Sequence, residues 1–276
     1  MTTVSVIVNR ATQTLTSHSE TPRLDAELLV CDVIEQPRVQ LFSHPERELT
    51  SAEEKQLKKY IKRRMAGEPV AYLVGYKEFW SLRIMVTPDV LIPRPETELL
   101  VEWALENLPE QPLRVADLGT GSGAIAIALA HERPNWVIDA TDHSKKALKI
   151  AKRNAAWHRT TNIHFYHGQW CQALPDKNYH AILGNPPYIA SDDDHLKQLK
   201  YEPAAALHGG EDGLEAIRII IEEAKTYLSE SGWLVLEHGY DQRKKIIETM
   251  EKNNYKNIED YVDLAGLPRM VVGQRR

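Results

Sequence analysis

The chain of 276 residues contains only two cysteines, Cys31 and Cys171, which lie far apart in the sequence. Two lone thiols provide neither a disulfide framework nor the paired spacing of a zinc site. The eleven histidines show no ligand spacing either. We therefore expect no metal site, and we expect the protein to work in the reducing cytoplasm.

Long apolar runs and an excess of positive charge are also absent. No stretch approaches the roughly 18 apolar residues that a membrane span requires, and no basic leader with an apolar stretch indicates a secretory signal. Lys and Arg number 34 against 39 Asp and Glu, a net charge of −5. This balance argues against a large nucleic-acid surface. The 42% hydrophobic and 26% charged residues are typical of a globular protein with one or two domains.

Residues 1 to about 73 have the pattern of a small helical domain. One helix is indicated by apolar residues at helical spacing, namely Leu24, Leu28, Leu29 and Val33. A second helix is predicted to begin at Thr50 or Ser51, in a capping-box pattern, and to end at Gly67. The second helix carries the basic residues Lys58, Lys59, Lys62, Arg63 and Arg64. These form either a solvated helix face or a docking patch for an acidic or RNA-associated partner.

The helical pattern then gives way to a strand-like pattern, which predicts a β-hairpin linker over residues 74–95. Residues 79–86 alternate in the manner of a strand, and a break follows at 87–89. A further helix is then predicted through Leu99, Leu100, Trp103 and Leu105. The chain from residue 96 to residue 276 is expected to form the second domain.

Predicted strands and helices alternate throughout this second domain. The strands are predicted at 113–118, 136–141, 163–166, 179–183, 233–236, 255–262 and 270–273. The helices are predicted at 124–131, at 145–158 and from about 213 to 228. Such alternation predicts an α/β fold with a mostly parallel, doubly wound sheet and helices on both faces.

A glycine-rich loop separates the first of these strands from its helix. The loop consists of Gly119, Thr120, Gly121, Ser122 and Gly123. Glycines allow a ligand to approach the backbone closely, and the helix start offers free amides. Asp142 ends the next strand, about 20 residues on, where a carboxylate can accept the hydroxyls of a ribose. NAD and S-adenosylmethionine both carry that ribose, but Asp117 before the glycines favours a cationic sulfonium over a pyrophosphate.

The segment Asn185-Pro186-Pro187-Tyr188 follows the strand predicted at 179–183. Proline fixes its own φ and restricts the residue before it, so the two prolines lock this corner into one shape. The Asn185 side-chain oxygen and the Pro186 carbonyl can then both point into the ligand crevice as acceptors. Two rigid acceptors suit a planar NH₂ group, and Tyr188 supplies an aromatic wall.

Several segments together carry a resemblance to a known family. They are residues 67–73, 78–81, 92–98 (Ile-Pro-Arg-Pro-Glu-Thr-Glu), 185–188, 201–207 and 236–239. With these segments the chain resembles the bacterial release-factor glutamine methyltransferases, the PrmC (HemK) family. The resemblance implies a class I methyltransferase domain with a seven-stranded sheet and a helical N-terminal domain that helps to bind the release factor. It also implies a substrate, the glutamine of the Gly-Gly-Gln motif of peptide chain release factors.

The resemblance further implies the roles of individual residues. The S-adenosylmethionine site falls on Gly119, Thr120, Gly121, Ser122, Gly123, Asp142, Trp170 and Asn185. The substrate clamp falls on Asn185, Pro186, Pro187 and Tyr188, of which Asn185, Pro186 and Tyr188 are the expected catalytic residues. The family usually has an acidic residue before the tryptophan, and here Gln169 can accept a hydrogen bond in its place. S-adenosylhomocysteine is the expected product, and a monomer without membrane or nucleic-acid partners is expected.

Three other readings stay open at this point. An adenine-N(6) methyltransferase would share the Asn-Pro-Pro-Tyr corner, but the net charge of −5 and the lack of a base-reading module disfavour it. An enzyme that methylates a glutamine of a ribosomal protein would share the fold and the chemistry. That group of enzymes differs in the segment corresponding to 92–98, which this chain keeps, and this difference disfavours it. A non-enzymatic adenosine-binding protein would not need the corner. Arg94 lies either at the mouth of the cleft or on the ordinary surface.

Overall fold

The structure is a computed structural model that describes residues 2–276, so Met1, where the first predicted domain begins, lies outside the described residues. The chain divides into two compact units, of which the first ends at Tyr76 and the second is Lys77–Arg276. The boundaries at 73/74 and 95/96 that the sequence suggested stay a prediction. Among residues 2–276, no helix combines the length and the apolar character needed to cross a membrane.

The first unit is helical. Its helices are α1 (Val4–Leu15), α2 (Pro22–Ile34), α3 (Gln40–Ser43), α4 (Ser51–Met65) and α5 (Val70–Val74). Leu15, Leu29 and Leu49 are almost completely buried in its core. The predicted capping box is confirmed: the Thr50 side chain accepts a hydrogen bond from the Glu53 amide, and the Glu53 carboxylate accepts one from the Thr50 amide.

The basic residues of α4 divide into two groups. Arg63 forms an ion pair with Glu68, and Arg64 donates to Asp25 at 2.7 Å, so both arginines stabilise the helical unit itself. The side chains of Lys58, Lys59 and Lys62 are exposed. The interpretation as a docking patch therefore applies to the three lysines and not to the two arginines.

The hairpin consists of β1 (Tyr76–Phe79) and β2 (Leu82–Met85). The prediction of one continuous strand pattern over 79–86 was wrong. The chain turns at Trp80 and Ser81, whose φ values are 51° and 56°. A two-residue turn with both φ values positive matches the twist of a hairpin. Trp80 is held there by contacts distant in the sequence: its amide donates to Glu98 and its indole nitrogen to Glu132.

The second unit begins at the second residue of β1, and its first half contains α6 (Glu98–Asn107), β3 (Arg114–Leu118), α7 (Ala124–Glu132), β4 (Val137–Asp142), α8 (Lys145–Trp157), β5 (Ile163–His167) and β6 (Tyr179–Gly184). The second half contains α9 (His195–Gln198), α10 (Glu215–Tyr227), β7 (Leu228–Glu237), α11 (Arg243–Lys252), β8 (Tyr255–Val262) and β9 (Pro268–Arg275). Alternate residues of a strand face opposite layers. Accordingly, Val115 and Ala116 of β3 pack into two different hydrophobic clusters.

The seven strands of the large sheet have the order β5-β4-β3-β6-β7-β9-β8. The pairs from β5 to β7 are parallel, and β9 runs antiparallel to both of its neighbours. The predicted mostly parallel sheet is therefore confirmed. The chain proceeds from β3 toward β5 in one direction and from β6 toward β7 in the other. In sheets of this kind ligands bind outside the carboxyl ends of the strands, where the order reverses.

Candidate active site

The predicted site residues follow the carboxyl ends of four neighbouring strands. The strand ends are followed by Trp170 (after β5), Asp142 (the last residue of β4), Gly119 (after β3) and Asn185 (after β6). Leu118 and Gly184 are direct partners in the sheet, so Gly119 and Asn185 leave it on adjacent strands, about 4.8 Å apart. The fold thus brings the glycine loop and the Asn-Pro-Pro-Tyr corner together.

The glycine loop needs glycine at two positions for different reasons. Gly119 has φ +69°, and a Cβ atom there would lie 3.2 Å from the indole ring of Trp170. Gly123 has φ +86°, and a Cβ atom there would lie 3.0 Å from Ile127 and 3.2 Å from Ala151. Gly123 therefore allows α7 to pack against α8, whereas Gly119 allows the backbone to lie close to the tryptophan.

Gly119→Ala should destabilise the protein by about 1–2 kcal/mol, because an alanine is strained at this backbone conformation. It should also weaken binding of S-adenosylmethionine, since the new methyl group displaces Trp170. Gly266→Ala is a matched control: Gly266 has φ +77° with nothing within 4 Å of the added Cβ atom. We expect a similar loss of melting temperature in both variants and a loss of donor affinity, measured by calorimetry, only in Gly119→Ala. Equal donor affinity in the two variants would contradict this role of Gly119.

Two carboxyl groups lie beside the loop. Asp142 is buried and accepts hydrogen bonds from the Gly121 amide at 2.9 Å and the Ser144 amide at 2.7 Å. A carboxylate has about four acceptor positions, so two remain for ribose hydroxyls. Asp117 is completely buried, and burial raises its pKa to about 7. One Asp117 oxygen accepts from the Thr120 hydroxyl at 2.6 Å, and the other has no partner within residues 2–276.

A cavity of about 230 Å³ opens over the ends of β3, β4 and β5. Its lining includes Gly119, Asp142, Trp170 and also Gln169, whose side chain is exposed. Thr120, Gly121, Ser122 and Gly123 do not line this cavity. The hydroxyl of Thr120 contacts Asp117 instead, and the Gly121 amide contacts Asp142, which does line the cavity.

A second cavity, of about 440 Å³, opens over the ends of β6 and β7 and contains Asn185, Pro186 and Tyr188 in its lining. Asn185 Nδ2 donates to Thr97 Oγ1 at 3.0 Å. No donor among residues 2–276 contacts Asn185 Oδ1 or the carbonyl oxygen of Pro186. The corner therefore contains two acceptors that have no donor among the described residues.

The corner is fixed from behind by close backbone packing. A Cβ atom on Gly209 would lie 2.8 Å from the Pro187 carbonyl oxygen, and one on Gly213 would lie 2.3 Å from that of Tyr188. The Tyr188 carbonyl oxygen also accepts a hydrogen bond from Gln242 at 2.9 Å. Neither Gly209 nor Gly213 can carry a side chain without moving the corner.

The Tyr188 hydroxyl donates to Glu237 Oε1 at 3.1 Å, and the Thr97 hydroxyl donates to Glu237 Oε2 at 2.5 Å. Glu237 is completely buried, and burial raises its pKa to about 7. Burial also raises the pKa of Tyr188. Tyr188 is therefore a neutral aromatic group at physiological pH, which fits the predicted aromatic wall and does not fit a proton acceptor.

Arg94 lines the second cavity, as the first of its two interpretations requires. It donates to Glu202 Oε1 at 2.6 Å, and the other oxygen of Glu202 accepts from the Ile92 amide at 3.0 Å. Thr97, Glu202 and Glu237 were not identified as site residues from the sequence. All three lie in segments that carry the resemblance, and Glu237 ends a strand at the crevice, which is the signal that could have found it.

Comparisons with known proteins agree with this geometry. A family profile described as the PrmC N-terminal domain matches residues 7–75, and one described as a methyltransferase small domain matches residues 96–202. A solved structure similar to this chain is the ribosomal protein L11 methylase from Lactobacillus delbrueckii subsp. bulgaricus, with a TM-score of 0.53 and 23% identity. The match covers 70% of this chain and 85% of that chain. It confirms the predicted class I methyltransferase fold and shows nothing about substrate.

The sequence relatives are much more similar. The chain is 59% identical over 276 residues to the release factor glutamine methyltransferase of Coxiella burnetii, and the match covers 100% of both chains. It is 42% identical over 258 residues to the release factor glutamine methyltransferase of Escherichia coli (strain K12), and the match covers 93% of each. The resemblance carried by the sequence segments is thereby confirmed, and the chain belongs to the release factor glutamine methyltransferase family.

Proposed function

We propose that this chain transfers a methyl group from S-adenosylmethionine to the side-chain amide nitrogen of the glutamine in the Gly-Gly-Gln motif of peptide chain release factors. The observation that carries the proposal is the pair of available acceptors, Asn185 Oδ1 and the Pro186 carbonyl oxygen, in the cavity over β6 and β7. A primary amide has two N–H groups on one nitrogen, and two fixed acceptors can bind both. Membership of the family supports the same substrate.

The residues beside the smaller cavity fit the methyl donor. Trp170 offers an aromatic face for an adenine ring, and Asp142 offers acceptor positions for ribose hydroxyls. Asp117, buried at the base of the glycine loop, favours a cationic group nearby when it is ionised. S-adenosylmethionine supplies an electrophilic methyl group on a sulfonium. S-adenosylhomocysteine is the product that remains after transfer.

The chain must compensate for the weak nucleophilicity of an amide nitrogen, whose lone pair is delocalised into the carbonyl group. Hydrogen bonds from both amide N–H groups to Asn185 and Pro186 raise electron density on the nitrogen and fix its orientation. Orientation of this kind can contribute about 7–11 kcal/mol to catalysis. Tyr188 packs against the flat amide, and its raised pKa excludes it as a base. The N-methylated amide is strongly acidic while it carries the extra proton, which it loses to water.

The charges around the cavity favour a peptide over a nucleic acid. Each basic side chain in the lining contacts a carboxylate: Arg94 contacts Glu202, Arg269 contacts Asp263 and His195 contacts Asp193. A nucleic acid would require cations free to bind phosphate groups. The paired charges and the apolar walls suit an uncharged segment such as Gly-Gly-Gln.

The compartment and the oligomeric state are part of the same proposal. Cys31 and Cys171 are free and buried thiols, which suits the reducing cytoplasm. We propose that the chain acts there as a monomer, with release factors as its protein partners. All residues of the site described here belong to the second unit, Lys77–Arg276, of a single chain. The site therefore needs no residue from another copy of the chain.

Distribution of a labelled methyl group among possible substrates tests this function. The purified chain is incubated with labelled S-adenosylmethionine and separate pools of release factor, ribosomal proteins and DNA. We expect the label in the release factor and not in the other two pools. Label in DNA would favour an adenine-N(6) methyltransferase. Label in ribosomal proteins alone would favour an enzyme that methylates a glutamine of a ribosomal protein. Either result would refute the proposed substrate.

A further inference from the structure

A chain of hydrogen bonds runs behind the Asn-Pro-Pro-Tyr corner and connects three elements that are distant in the sequence. Asn185 Nδ2 donates to Thr97 Oγ1, and Thr97 Oγ1 donates to Glu237 Oε2. Tyr188 donates to the other oxygen of Glu237. Thr97 precedes α6, Asn185 and Tyr188 follow β6, and Glu237 ends β7. Thr97 is 4% exposed and Glu237 is 0% exposed, so water does not replace these contacts.

The charge of Glu237 gives this hydrogen-bond chain a direction. An ionised carboxylate only accepts hydrogen bonds, whereas a hydroxyl both donates and accepts. The single hydrogen of the Thr97 hydroxyl must therefore point to Glu237, which leaves a lone pair toward Asn185. Asn185 must present its NH₂ group to that lone pair, and its oxygen then remains available to the cavity.

The two orientations of an asparagine amide have nearly the same shape and differ in chemistry. The reversed orientation of Asn185 would present two N–H donors to the substrate amide, which is itself a donor at its nitrogen. A neutral group in place of Glu237 could donate to Thr97, and the Thr97 hydrogen could then turn toward Asn185. Only a charged Glu237 excludes that reversed arrangement.

We propose that Thr97 and Glu237 are positioning residues that hold the amide of Asn185 with its oxygen, rather than its nitrogen, toward the substrate. This inference rests on the proposed function, because it assigns a purpose to the orientation of the Asn185 acceptor. Through Tyr188, the same carboxylate also fixes the aromatic wall. One buried charge thus orients two side chains of the corner.

The positioning has a pH dependence. Burial raises the pKa of Glu237 to about 7, nearby Glu96 raises it further, and Arg269 on β9, Thr97 and Tyr188 lower it. His238, the next residue of the chain, has a pKa lowered by burial and stays neutral at pH 7. Because the pKa of Glu237 lies above that of an ordinary carboxyl group, the directing carboxylate is lost as pH falls through about 7. Turnover should therefore rise with pH across this range.

Glu237→Gln keeps the size of the side chain and removes the charge. We expect turnover to fall about 100-fold, the size of effect that misplacement of a reacting group produces. The rise of turnover with pH through about 7 should disappear, and donor affinity should stay unchanged. Asp139→Asn is a matched control, because Asp139 is also fully buried and accepts a tyrosine hydroxyl, that of Tyr179, away from the corner. It should lose stability and keep the parental turnover and pH profile.

Thr97→Val and Thr97→Ser test the same chain of hydrogen bonds without touching the charge. Thr97→Val removes the hydroxyl at nearly constant shape and should lower turnover as Glu237→Gln does, whereas Thr97→Ser keeps the hydroxyl and should retain turnover. This pair decides the matter even if Glu237→Gln fails to fold. Parental turnover in Thr97→Val, or equal loss in both threonine variants, would overturn the inference.

The outcomes also separate this inference from the proposed function. A parental chain that transfers no methyl group to release factor contradicts the proposed function itself. A parental chain that does so, with turnover lost in Asn185→Ala and kept in Thr97→Val and Glu237→Gln, contradicts the positioning roles alone.

Discussion

Asn185→Ala should lower turnover on release factor by about 10²–10³-fold, the usual effect of losing one positioned hydrogen bond in a transition state. The variant removes the Oδ1 acceptor from the cavity and leaves the Pro186 carbonyl as the only remaining acceptor of the pair. The donor affinity should fall only modestly, because Asp142 and Trp170 are unchanged. Single-turnover kinetics at saturating donor and release factor measures the effect on chemistry alone.

Asn185→Asp is the sharper companion variant. It keeps two acceptor oxygens and nearly the same shape, so it should retain more activity than Asn185→Ala. It should remain below the parent, because a carboxylate cannot donate to Thr97 as Asn185 Nδ2 does. Asn107→Ala serves as a control, since the Asn107 side chain donates to the Trp103 carbonyl within α6 and leaves the corner intact. Parental turnover in Asn185→Ala would mean that the corner is only a structural turn.

Asp142→Ala should weaken S-adenosylmethionine binding by about 1.5–3 kcal/mol, the contribution of hydrogen bonds to a charged group. The variant removes the proposed ribose acceptor and also releases the Gly121 and Ser144 amides that the carboxylate holds. Calorimetry gives the affinity, and a melting curve shows whether the second unit remains folded. Unchanged affinity together with unchanged melting would show that Asp142 does not contact the donor.

Local sequence signals identified the parts of the site that lie directly after strands. The glycine run, Asp142 and the Asn-Pro-Pro-Tyr segment each have a local physical signature, namely positive φ, a strand end and a rigid dipeptide. Parallel strands gather their carboxyl ends at one edge, so placing these residues on strand ends also predicted that they would meet. The capping box at Thr50 was predictable for the same reason, since both of its partners lie within one turn.

Contacts between distant residues account for what the sequence did not predict. Thr97 and Glu237 are 140 positions apart, and no spacing or periodicity connects them. The turn at Trp80 and Ser81 is stabilised by Glu98 and Glu132, so the local alternation could not indicate it. The strand β7 begins at Leu228 rather than at the predicted residue 233, because Leu228 pairs with Tyr179 of β6 before the register shifts and Trp233 pairs with Ala181.

Identification of the methylated atom tests the central claim most directly. Release factor is incubated with the chain and with S-adenosylmethionine labelled in its methyl group, and the peptide that contains Gly-Gly-Gln is then isolated. We predict that mass spectrometry places one labelled methyl group on that glutamine and that acid hydrolysis releases it as methylamine, as an N-methyl amide requires. Label on any other atom of the release factor, or a labelled glutamine that also forms at the parental rate with Asn185→Ala, would contradict the account.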